Sequence, residues 1–262
     1  MSRIYLFTAS KMEADPVFQV AGLKEAGKAY VPGDPFRVTS NEVTLIVSGM
    51  GPQKASASAS AALSRWTDNA SSSSHPAPEK PDFVLVIGLC GGLTESAREC
   101  EIVAYATCRS ERKHGPMLPC CQTITRRLPE LLGPHGIGCR LVDGTTSPQI
   151  ATRKSEREAL NRSGASVVDM ESYEILTVAA HAGIPAGVLR VVSDSFEREL
   201  PNFNTALNAQ GDLDGRKALR IALGAPLRTF KLLAANKRAL HQLTPALDVV
   251  LRADWPILSG IE

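Results

Sequence analysis

A chain of 262 residues with 44% hydrophobic and 21% charged residues is long enough for one large α/β domain with a single sizeable core. A net charge of +2 is too balanced to argue for nucleic acid as a partner, although the C-terminal third is basic. No run approaches the ~18 apolar residues of a membrane span, and the first apolar stretch, about six residues, is too short for a secretory leader, so a cytoplasmic protein is expected.

Residues 4–9 (IYLFTA) and 43–48 (VTLIVS) read as strands. The second ends in Gly49-Met50-Gly51, and Pro52 opens an alanine-rich, helix-like stretch to residue 66. Residues 67–81 are rich in Ser and Pro and read as a surface loop. A strand resumes over residues 83–88 and stops at Leu89-Cys90-Gly91-Gly92. Further strands are expected over 102–107 and 138–143, with loops over 110–122 and 144–149 and a helix over 153–162.

A short strand then reaches Asp169-Met170-Glu171, and a helix spans about 172–182. The strand 186–192 follows and ends at Ser193 and Asp194. Strands alternating with helices predict a three-layer α/β/α sandwich around a mixed, largely parallel sheet. Four strand ends carry glycine or acid clusters (48–51, 88–92, 169–171, 193–194), and ligands in such folds sit beyond those ends.

Six cysteines form no C-x-x-C pair and five histidines show no ligand spacing, so reduced thiols and no metal site are expected. Cys90 could be read as a nucleophile, but a small residue at a tight strand end is the better reading. Arg190 lies inside an apolar strand, where an unpaired charge would be costly, so pairing with Glu171 or Asp169 is expected.

The motifs Ser48-Gly49-Met50-Gly51-Pro52, Gly88-Leu89-Cys90-Gly91-Gly92-Leu93, Val168-Asp169-Met170-Glu171 and Arg190-Val191-Val192-Ser193-Asp194 come in a telling order. In that order they resemble the purine nucleoside phosphorylase / methylthioadenosine nucleosidase superfamily over about residues 4–196. The segment LDGRKALRIALGAPLRTFKLLAANKRAL more weakly resembles the hopanoid-associated members, which remove adenine from adenosylhopane.

The resemblance implies that Asp194 protonates N7 of a purine, with Ser193 beside it. It implies that Glu171 holds the ribose hydroxyls, that Met170 packs under the sugar, and that Asp15 orients an attacking water. Gly51 and Gly91 would border the substrate, and a homodimer would form. Asp169 could instead be a helix N-cap, Met170 plain core, and Asp15 a surface acid.

The chemistry fits these roles. Cleaving an N-glycosidic bond passes through an oxocarbenium-like state with a poor leaving group, so one carboxyl must act as an acid and another must stay ionised. Burial is expected to raise Asp194 towards neutrality, and Glu171 to remain an anion near a helix start.

The phosphorylases hold phosphate with an arginine and a serine, and those places are taken here by Val86 and Leu89. Hydrolysis is therefore favoured over phosphorolysis. Phosphate stays open as co-substrate through the glycine turn at 49–51 or through arginines at 109–112 and 126–127. Leu89 also makes the site mouth apolar, which suits a greasy 5′ substituent. No other cofactor is implied.

Residues 1–210 are read as the catalytic domain and 211–262 as a basic amphipathic helical extension packed on it. The extension has two readings: peripheral contact with an anionic membrane through 211–252, or an apolar face packed on the body with solvated charges. The expected function is release of adenine from a 5′-substituted adenosine in hopanoid precursor metabolism. A methylthioadenosine or adenosylhomocysteine nucleosidase, a phosphorylase and a non-catalytic nucleoside-binding module are the alternatives.

Overall fold

The computed structural model describes residues 1–23, 33–66, 80–112, 116–208 and 213–255. The expected loop over 67–81 lies outside the described residues except for its last two positions. The strands are β1 Arg3–Thr8, β2 Pro35–Val38, β3 Asn41–Val47, β4 Phe83–Gly92, β5 Ile102–Ser110, β6 Leu118–Pro119, β7 Cys139–Thr146, β8 Val167–Asp169 and β9 Ala186–Asp194. The helices are α1 Lys11–Val20, α2 Pro52–Leu63, α3 Gln122–Leu132, α4 Lys154–Asn161, α5 Ser172–His181, α6 Gly215–Gly224 and α7 Pro226–Arg252.

The sheet is mixed. Parallel pairs join β1 to β3 and β4, β4 to β9, β5 to β7, and β7 to β8. Antiparallel pairs join β2 to β3, β4 to β8, β5 to β6, and β5 to β9. The pairs β4–β9–β5–β7–β8 and back to β4 close a ring of five strands. Its closure depends on Gly91 and Gly92 of β4 lying opposite Val168 and Val167 of β8, and on a register shift at Cys90/Gly91. The bulge re-aims the end of β4 just where a site needs it.

Alternation along the strands fills both faces. Phe83, Leu85 and Ile87 of β4 pack with α1, α3 and α7, whereas Val84 and Val86 pack with α2 and α5. This period of two is what sandwiches the sheet between two helical layers.

Helix α1 and helix α3 were not anticipated. A capping box, Ser10-Lys11-Met12-Glu13, marks the start of α1 in the sequence. The amphipathic pattern Ile124, Thr125, Leu128, Leu132 marks α3. The helical stretch expected over 211–252 divides at Ala225, whose φ of −140° precedes Pro226 at the first position of α7.

Candidate active site

The ends of β1, β4, β8 and β9 surround a cavity of about 220 Å³. Its polar half is lined by Glu13, Asp169, Glu171, Ser193, Asp194 and Arg157. Its apolar half includes Met50, Leu89, Ile150, Leu200, Phe203 and Leu232. Met170 and Gly91 also line it.

Asp194 ends β9 and is 5% exposed. Its Oδ1 lies 2.6 Å from the Ser193 hydroxyl, and its Oδ2 accepts from Arg157 Nη2 at 2.5 Å. Arg157 is 1% exposed and gives Nη1 to the Gly92 carbonyl oxygen at 2.9 Å. The sequence reading gave Asp194 no cationic partner. The structure supplies one from α4.

Glu171, expected to stay an anion, is raised towards neutrality. Burial pushes its carboxyl from 4.5 to about 7; Arg190 pulls it down, Asp169 and Glu13 push it up, and the Gly51 N–H pulls it down. That N–H donates to Glu171 Oε1 at 3.0 Å. Gly51 has φ +92°, the left-handed backbone that lets the glycine turn aim this group inward. The turn at 49–51 thus spends the Gly51 donor on Glu171 rather than offering it to an anion.

Asp169 behaves as a cap. Its Oδ1 accepts from the N–H groups of Glu171 and Ser172, both at 3.1 Å, and from Thr146 Oγ1 at 2.7 Å. Its Oδ2 faces Arg190 Nη2 at 3.4 Å.

Arg190 is paired as expected. Nη2 lies 3.4 Å from Glu171 Oε2 and donates to Ser172 Oγ at 3.0 Å, and Nη1 lies 3.9 Å from Glu13 Oε1. Burial opposes its charge, and the neighbouring carboxylates more than offset that, so the guanidinium is held charged.

Glu13, which the sequence reading passed over, is the acid of α1 that lines the cavity. Asp15 is half-buried and does not line the cavity. The two residues share α1 but stand about 200° apart around its axis, so one faces the sheet ends when the other cannot. Glu13 Oε2 accepts from Ala9 N–H and Ser10 Oγ, both at 3.1 Å. Its Oε1 accepts from Leu89 N–H at 2.7 Å, across 76 residues of chain. The capping box could have drawn attention to Glu13 as a helix cap; the bond to Leu89 shows more than a cap. Nothing in the single sequence distinguishes Arg157 from an ordinary arginine on a polar helix.

Val86 is buried in the core, and Leu89 puts an alkyl side chain into the cavity wall. Arg109, Arg112, Arg126 and Arg127 do not line this cavity. Arg112 borders a neighbouring hollow that shares Met170 and Gln149 with it. Burial raises the Cys90 thiol well above its ordinary value, so it is no thiolate nucleophile. No group of three or more metal-ligating side chains occurs among the described residues.

Residues 33–214 match a family model described as the phosphorylase superfamily, more than half of the chain. The chain belongs to that superfamily. No curated protein matches it by sequence. Among solved structures, futalosine hydrolase of Helicobacter pylori superposes with a TM-score of 0.68 at 14% identity, over 95% of this chain and 97% of that one. The 5′-methylthioadenosine/S-adenosylhomocysteine nucleosidase of Neisseria meningitidis, in complex with methylthio-immucillin-A, gives 0.70 at 12% identity, over 96% and 99%. The corresponding nucleosidase of Helicobacter pylori, bound to butyl-thio-DADMe-Immucillin-A, gives 0.63 at 15% identity, over 95% and 98%. At such identities the likeness establishes the phosphorylase-superfamily fold.

Proposed function

We propose that this protein uses water to cleave the N-glycosidic bond of a 5′-substituted adenosine, releasing adenine, with adenosylhopane of hopanoid biosynthesis as the substrate. The observation that carries the choice of water is the placement of Glu13. Its carboxylate occupies the three donors, Ala9 N–H, Ser10 Oγ–H and Leu89 N–H, with which that wall of the cavity would hold an anion.

A carboxylate offers about four acceptor positions, and three are used, so one remains to take a proton from a bound water. The buried charge supports the same reading. Four acids (Glu13, Asp169, Glu171, Asp194) meet two arginines (Arg157, Arg190), an excess of two carboxyls. Adding a phosphate dianion there would meet uncompensated repulsion.

In this reading Glu13 orients and deprotonates the water, and Glu171 accepts hydrogen bonds from the ribose hydroxyls while facing the positive charge that develops on the sugar. Asp194 handles the proton at N7 of the leaving adenine. Met170 packs under the sugar, and Gly51 and Gly91 let the backbone come close to it. The Arg157 pair fixes the orientation of Asp194; as the glycosidic bond lengthens, N7 becomes basic enough to take the proton from the protonated Asp194 carboxyl. That carboxyl is left ionised against Arg157 and regains a proton from solvent after adenine leaves, while the proton that Glu13 took from water returns to solvent.

The 5′ substituent would run along the apolar half of the cavity. A charged amino-acid tail would be desolvated against Leu200, Phe203 and Leu232, whereas an alkyl tail would be favoured by burial. This supports a lipid-like nucleoside over adenosylhomocysteine. No cofactor is required, and the protein is expected to work as a homodimer in the cytoplasm.

The test is adenine release from a long-chain 5′-alkyl-5′-deoxyadenosine in phosphate-free buffer. Release, with free sugar as co-product, is expected. Release only after phosphate is added would overturn the hydrolytic reading, and binding without turnover under both conditions would point to a nucleoside-binding module.

A further inference from the structure

The surface opposite the anchored part of the C-terminal helix is unlike the rest of the molecule. From Ala235 onwards α7 is fixed in the core through Ala239, Leu243, Leu247 and Val250. Before Ala235 it has no buried residue, and α6 has none at all. Leu219 and Leu223, one turn apart on α6, are 60% and 71% exposed. Leu227, Phe230 and Leu233 on α7 are 76%, 71% and 56% exposed. At about 100° per residue these last three fall within an arc of about 120°, one face of the helix. Monomeric proteins rarely leave so many large apolar side chains together in water.

The charge around this face has one sign. Residues 215–247 contain Arg216, Lys217, Arg220, Arg228, Lys231, Lys237 and Arg238, and no Asp or Glu. Arg228 and Arg238 are turned to Glu199 and Glu99 of the body, and Lys217 lies near Asp214. Arg216, Arg220, Lys231 and Lys237 are exposed and make no ion pair with a described residue. On α7 the lysines at 231 and 237 and Arg238 flank or interleave the apolar arc.

From this combination we infer that α6 and the first turns of α7 are a docking surface for an anionic lipid bilayer. Leu219, Leu223, Leu227, Phe230 and Leu233 would enter the interface, and the surrounding cations would meet the headgroups. Charge also argues against a second copy on this face, because a two-fold contact would set its unpaired cations against themselves. The same helix walls the cavity through Leu232 and Asn236, on the side away from the bilayer face. The inference does not depend on which nucleoside the cavity takes.

The experiment is flotation of the full chain with vesicles of phosphatidylcholine alone or mixed with phosphatidylglycerol, at low and high salt. Binding to the mixed vesicles, weakening with salt, is expected. The triple change Arg216→Gln, Lys217→Gln, Arg220→Gln should lower partitioning on the order of a hundredfold. Leu227→Ser, Phe230→Ser, Leu233→Ser should do at least as much. Both variants should keep the parent's far-ultraviolet circular dichroism and its turnover of a short-chain soluble nucleoside. Absence of the parent from floated mixed vesicles would overturn the inference, as would binding that both variants retain. A serine variant whose mass in solution falls to half the parent's would show that a second copy covers the face. Adenine release without vesicle binding would leave the proposed reaction standing, and vesicle binding without release would do the reverse.

Discussion

Arg157 Nη2 and Asp194 Oδ2 are 2.5 Å apart, with side chains 1% and 8% exposed, and they join α4 to the end of β9 inside the cavity wall. Removing the cation strands a buried carboxylate. Arg157→Met should destabilise the protein by about 3–5 kcal/mol at pH 8. Denaturant unfolding of parent and variant at pH 8 checks this, and a loss below about 1 kcal/mol would show that the pair is not needed to compensate the buried carboxylate. Asp194→Asn, which keeps the shape, should lower kcat by about 10²–10⁴-fold.

Glu171 should govern the acid side of the activity profile. Burial holds its carboxyl at about 7, and only the ionised form can accept both ribose hydroxyls. The logarithm of kcat/KM should rise with pH up to about 7 and then level. The same shift acts on stability with the opposite benefit. Between 4.5 and 7 the native state keeps a proton that the unfolded chain has released, so this group lowers stability as pH rises through that window. Glu171→Gln should be more stable to denaturant than the parent at pH 8, by on the order of 1–3 kcal/mol, and should match the parent at pH 4.5, where the native carboxyl is already neutral. Its activity should be lost. A variant less stable at pH 8 would mean that Arg190 needs the Glu171 charge more than burial penalises it.

The two acids of α1 give a sharp comparison. Glu13→Gln should reduce kcat by about 10²–10³-fold, with KM little changed, because it removes the acceptor for the water proton. Asp15→Asn should stay within about twofold of the parent. Comparable losses in the two variants, or none in Glu13→Gln, would remove Glu13 from the reaction.

Much of the arrangement was legible in the chain, for identifiable reasons. The strand ends at Gly88–Gly92, Asp169–Glu171 and Ser193–Asp194 announce themselves because an apolar run stops at residues that no core would bury without cause. The pairing of Arg190 followed from the cost of an isolated charge. Glu13 was missed because two acids two residues apart look alike until the helix is known. That helix carries Pro16, which blurs its period. Arg157 was invisible because its partner lies 37 residues away, and only the ring of strands brings them together. The excess of acid over base in the cavity is likewise a property of the closed ring, not of any segment.

Gly88 tests how tightly that ring is built around the site. It has φ +143°, and a Cβ there would collide with Glu13 Oε1 and stand 2.8 Å from Arg190 Nη1. The absence of a side chain at 88 on β4 is thus what allows Glu13 of α1 and Arg190 of β9 to come together there. Gly88→Ala would meet both an unfavourable backbone conformation and a displaced carboxylate–guanidinium contact. A loss of about 2–4 kcal/mol is expected, with activity falling further than the unfolded fraction explains. Gly136→Ala, also at positive φ but with open space around its Cβ, supplies the control. It should cost only the backbone strain, about 1 kcal/mol, and leave kcat unchanged. Equal effects from the two glycines on stability and turnover would show that strain alone, not the crowding of Glu13 and Arg190, fixes position 88.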